Sequence, residues 1–94
     1  MKGQVIIERI SLREQSFLDE LLQCNNYFLF LQYIRKYPIA VARLAVAEAE
    51  KLANRAWVLA PKDGFKEFAN DLWKAVPKNA MIVREALIAV GFEV

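Results

Sequence analysis

The residue types that carry most enzyme chemistry are scarce in this chain. There is no histidine and no threonine, and the only serines are Ser11 and Ser16. A hydroxyl or thiol nucleophile works through an adjacent base, so neither a Ser–His nor a Cys–His pair can be assembled within one chain. Zinc sites are built from clustered cysteine and histidine, and Cys24 stands alone. The glycines are isolated at positions 3, 64 and 91, so no glycine-rich loop can cradle a phosphate. Catalysis by carboxylates or a lysine needs only two titratable groups and a pocket, but no spacing here points to one. The expectation is a protein that is not an enzyme and holds no metal or cofactor.

Several groups of residues still invite a functional reading. Asp63, Glu67 and Asp71 recur at i, i+4 and i+8, which on a helix makes an acidic stripe for a basic partner or for Mg²⁺. A solvated face is the simpler account, because like charges at this spacing repel by only a few tenths of a kcal/mol. A metal would also need ligands from a second segment. Tyr27, Phe28, Phe30, Tyr33 and Tyr37, near Arg35 and Lys36, would stack bases if they lay on an open surface. A run this dense reads more simply as core. Cys24 has no cationic neighbour in sequence to lower its pKa and reads as a small apolar group.

Lys78, Asn79, Arg84 and Glu85 open the last helical pattern. Together with the helix before it, residues 65–90 have a helix–turn–helix layout, in which such side chains read a DNA groove. Charge weighs against that use. From Pro61 to Val94 five Lys/Arg are matched by five Asp/Glu, and DNA binding leans on phosphate neutralisation. A DNA-binding regulator is therefore the second choice.

The elements that must position these residues follow from periodicity and punctuation. Val5–Ile10 is short and β-branched and reads as a strand. Ser11 and Glu14 form a capping box, and the helix behind it puts Phe17, Leu18, Leu21 and Leu22 on one stripe. Cys24-Asn25-Asn26 interrupts it, with Asn26 able to cap the next element. Tyr27–Leu31 is apolar on all sides, so helix and strand both remain open, with helix favoured by the spacing of Phe30, Tyr33, Ile34 and Tyr37. Pro38 then starts a long helix over Ile39–Ala60. Its two apolar stripes, one through Val41, Ala45, Ala49, Leu52, Ala56 and Leu59 and one through Ala42, Val46, Ala53 and Trp57, suit a central helix contacted from two sides. Pro61–Gly64 is a turn. Phe65, Phe68, Ala69, Leu72, Trp73 and Val76 make a regular amphipathic helix, Pro77–Asn79 breaks it, and Met81–Val90 is the last helix with Gly91 closing it. Phe92–Val94 pairs as a strand with the N-terminal one.

The expected fold is mostly α: one compact four- or five-helix bundle, with a short N-/C-terminal β ribbon. The core should include Leu18, Leu21, Phe30, Ile34, Ala45, Leu52, Phe68, Leu72 and Leu87. With 94 residues the chain has room for one core. Hydrophobic residues make up 56%, more than a typical domain needs, so apolar surface is left over. The net charge of +2 is too small to point to nucleic acid or an anionic membrane. Charges break the apolar stretch from Tyr27 to Ala60, so no membrane span is expected, and the absence of a leader pattern and of a cysteine pair suits the cytoplasm.

The surplus apolar surface is expected mainly on the last helix, where one core can use only one face. Ile82, Val83 and Ile88, with Lys78 and Arg84 beside them, are the candidate contacts. The function expected is a non-catalytic protein-binding module, an adaptor, regulator or stoichiometric inhibitor, whose partner is another protein or a second copy in a homodimer.

Overall fold

The computed structural model describes residues 17–92, and these are mostly helical. Residues 17–23 are α1, followed by α2 (Tyr27–Lys36), α3 (Pro38–Ala42), α4 (Val46–Leu59), α5 (Phe65–Ala75) and α6 (Met81–Val90). No strand occurs among the described residues. The expected strand at Val5–Ile10, the Ser11 cap, Glu93 and Val94 lie outside them.

The ambiguous Tyr27–Leu31 run is helical because Asn26 caps it. Asn26 is extended (φ −142°, ψ 155°), and its side-chain oxygen accepts from the Leu29 amide at 2.9 Å, satisfying an N–H that has no partner within the helix. Pro38 opens α3 at the position where its missing N–H costs nothing.

The long helix expected over Ile39–Ala60 is two helices. Helical geometry stops at Ala42 and resumes at Val46. The Leu44 amide turns back to the Val41 carbonyl at 3.3 Å, and Ala45 is extended (φ −78°, ψ 172°). Glu48 reaches back and accepts from the Ala45 amide at 3.2 Å. That is half of a capping box, since alanine has no side-chain oxygen for the other half. Leu44 is buried beside Val41 and Ala45 is exposed.

One apolar cluster joins all six helices. Leu18, Leu21, Phe30, Ile34, Leu52, Phe68, Leu72 and Leu87 are buried in it as their stripes predict, whereas Ala45 is not. α4 packs chiefly on α6, and α2 chiefly on α5. The buried face of α4 is Ala49, Leu52, Ala53 and Ala56, all without solvent contact; three alanines there let the neighbouring backbones come close. Its second predicted stripe is only partly covered, since Val46 and Trp57 are exposed.

The end of α6 locks the fold. The Gly91 amide bonds to the Ile88 carbonyl and the Phe92 amide to the Leu87 carbonyl, at 3.1 and 3.0 Å, the paired bonds of a Schellman motif. Gly91 has φ +125°, and a Cβ there would stand 2.9 Å from the Trp57 ring, so conformation and space both require glycine. Phe92 enters the core. It is fully buried, stacked on Phe65 at 5.5 Å and edge-on to Trp57 at 5.4 Å.

Candidate functional site

α5 ends at Ala75 because Pro77 cannot continue it. Lys78 and Asn79 make an exposed turn, and α6 starts at Met81 behind Ala80, which lends no side-chain cap. The inward face of α6 is Val83 and Leu87, continued by Ala80 before it. The face turned away from it carries Met81, Arg84, Glu85 and Ile88, at the i, i+3, i+4 and i+7 spacing of one helix side.

Arg84 crosses from this face to the end of α5. Its Nε donates to the Pro77 carbonyl at 3.2 Å, and Nη2 donates to the Val76 and Trp73 carbonyls at 3.2 and 3.4 Å. The last carbonyls of a helix lack intrahelical partners and carry the negative end of its dipole, so a guanidinium satisfies both needs. The same guanidinium sits over the Trp73 ring, 5.2 Å from its centre, adding a cation–π contact.

Arg84 and Trp73 form a wall with a hollow on either side. The first, of about 380 Å³, is bounded by Met81 and Ile88 as well as Lys78 and Glu85. The second, of about 520 Å³, runs past Pro77 to Lys74 and Asn70. Met81 and Ile88 are 58% and 50% exposed, so the first hollow is an open apolar groove with charged lips.

The five residues singled out in sequence fare differently. Lys78, Arg84 and Ile88 line this groove together. Ile82 is 42% exposed but stands outside the groove, about a quarter-turn around α6. Val83 is a correction: it is 1% exposed, held inward by sharing the core face with Leu87. Sequence reasoning missed Trp73 and Met81 as groove walls. The signal was present for Met81, which sits seven residues before Ile88, but Trp73 was assigned wholly to the core stripe of its helix.

The helix–turn–helix pair is present in sequence order but is not packed as one unit. α6 takes its packing mainly from α4 and α3, and α5 from α2. Arg84, the cation expected to face a groove of DNA, is bonded to α5.

The remaining chemistry-bearing side chains are structurally engaged or dispersed. Among the described residues no group of three or more Cys, Asp, Glu or His is placed to hold a metal ion. Asp63 falls in the turn before α5 while Glu67 and Asp71 lie on it, Glu67 exposed and Asp71 half-buried. Burial pushes the Cys24 thiol up, against an opposing pull from Arg55. Arg55 donates to the Cys24 carbonyl through Nε and Nη2, at 3.3 and 2.9 Å, and so ties α4 to the end of α1. The Tyr33 hydroxyl donates to Glu20; burial, then that bond and its negative charge, raise the phenol above its ordinary value. Tyr33 also stacks on Phe17 at 5.3 Å and lies 4.8 Å from the Tyr37 ring. The aromatic run is thus divided: Phe30 is core, Tyr33 and Tyr37 build a small cluster with Phe17, Tyr27 meets Phe68 edge-on, and Phe28 is 61% exposed. No helix among the described residues is long and apolar enough to cross a membrane. Compared with protein-family models, curated proteins and solved structures, the chain matches none.

Proposed function

We propose that this chain is a non-catalytic protein-binding module, working as an adaptor, regulator or stoichiometric inhibitor in a reducing, cytoplasmic setting. The observation that carries the reading is the groove between α5 and α6. Met81 and Ile88 are half exposed in it although the core of α6 is complete without them. An apolar groove rimmed by charge is the form of a site that another protein covers. The partner is another protein, with a second copy of the chain as the competing occupant.

Affinity capture from the native host, comparing the wild-type chain with a Met81→Glu/Ile88→Glu variant, tests this. Both substituted side chains are half exposed, so the helical circular dichroism should be unchanged. A protein retained by the wild type and lost with the variant is the expected result; capture that the two substitutions leave untouched would remove the groove as the binding site.

The second reading, a small DNA-binding regulator using residues 65–90, draws on Lys78 and Asn79, which are exposed just ahead of α6. It requires binding to nonspecific DNA that weakens steeply with salt. The occupied guanidinium of Arg84 leaves that reading fewer phosphate contacts than the sequence offers.

A further inference from the structure

We infer that the occupant of the α5–α6 groove is an acidic amphipathic helix of the partner protein. This inference rests on the protein-binding reading above and specifies its ligand.

Charge is the first support. The two hollows on either side of Arg84 are bordered by Lys74, Lys78 and Arg84 against the single carboxylate of Glu85. Lys62, Lys66, Asp63, Glu67 and Asp71 border neither hollow, so the charge at these lips is locally positive. A partner with carboxylates flanking its apolar residues complements that arrangement. A second copy would present a face of the same net sign, which complements it less well.

Backbone chemistry is the second support. A peptide that adds as a β-strand needs a free sheet edge to pair with, and no strand exists among the described residues. The Trp73, Val76 and Pro77 carbonyls at the end of α5 already accept from Arg84. A helix brings its own backbone bonds already satisfied and presents side chains alone. Met81 and Ile88 are seven residues apart, about 10 Å along the axis of α6. That length accepts apolar residues at i, i+3 or i+4, and i+7 of a ligand helix. Because Arg84 is fixed against Trp73, the wall they form is already set, and little ordering is lost when the groove beside it is filled.

The test uses the full-length chain and a displayed library of random peptides about 16 residues long, some four helical turns. Selected peptides should be net negative and carry apolar residues at helical spacing. Their affinity should fall about tenfold or more for a Lys74→Glu/Lys78→Glu variant, and also for Met81→Glu. Neutral or basic peptides that are lost with Met81→Glu would overturn the acidic helix while leaving a protein-binding groove. Peptides indifferent to both Met81→Glu and Ile88→Glu would overturn this inference and the groove reading together. A homodimer in sedimentation equilibrium that Ile88→Glu dissociates would identify the occupant as a second copy and overturn the inference.

Discussion

Arg84 and Lys78 show how differently two neighbouring cations are used. Lys78 is exposed in the turn, while Arg84 is spent on three carbonyls and one indole ring. Sequence distinguishes them only weakly, because the partners of Arg84 lie seven to eleven residues back, beyond any helical neighbour relation. Cys24 and Arg55 teach the same lesson at a separation of 31 residues. Tyr33 yields a prediction in pH. Its phenol titrates higher in the folded chain than its ordinary value of 10.0, so the unfolded chain gives up that proton first. The associated stability is present below about pH 10 and is lost as pH rises above it. Cys24, raised from 9.0 by burial, acts in the same direction from about pH 9. Urea midpoints should therefore fall between about pH 8 and pH 10.5, and Tyr33→Phe should flatten part of that fall. An unchanged slope in the variant would mean that neither the burial of Tyr33 nor its Glu20 contact shifts the phenol in solution.

Among the elements, those announced by their own residues were readable and those decided by a neighbour were not. Asn26, Pro38, Gly64 and Gly91 mark helix boundaries by local chemistry, and the stripe of α5 names its buried face correctly. The break at Arg43–Ala45 carries no glycine or proline to announce it. Val83 was assigned to the surface because α6 is apolar on nearly every side, and only packing on α4 and α3 selects the inward face. The break leaves a correctable weakness. Ala45→Ser supplies the missing oxygen opposite Glu48, and because Ala45 is exposed nothing need move. Chemical denaturation should show a gain of about 1 kcal/mol; a loss would mean that α4 does not begin at Val46. The two positive-φ glycines make a graded pair. Gly64, at φ +85° with open space around its Cβ position, should cost about 1–2 kcal/mol as alanine. Gly91→Ala adds contact with Trp57 to the backbone strain and should cost about 3 kcal/mol. Equal losses at the two sites would show that the indole simply swings aside.

For the whole molecule, apolar content above the usual range predicted leftover surface, and the structure places some of it at Met81, Ile82 and Ile88. Other exposed apolar groups, such as Phe28, Ile39 and Val58, are scattered over α2, α3 and α4. Which of these positions share a groove depends on tertiary placement. The strand pairing expected between the two ends involves residues outside 17–92, apart from Phe92, whose burial is a matter of the aromatic cluster and not of alternation.

The order in which the helices pair has a consequence for how the chain acquires its structure. α2 finds its main partner in α5, and α4 finds its own in α6, so the two pairings overlap along the chain instead of following one another. Each requires the closure of a loop that spans other helices, and neither is complete until residues beyond the Pro61–Gly64 turn are in place. Such a chain should fold in one cooperative step, more slowly than helices that dock on their immediate neighbours. It should also tolerate being cut. Cleavage beside the exposed Lys62 gives two fragments, each holding one member of both pairs, so each alone should be largely unstructured and an equimolar mixture should regain the helical signal. If the first fragment folds by itself, the main pairings are not what hold it together, and α1 to α4 already form a unit of their own.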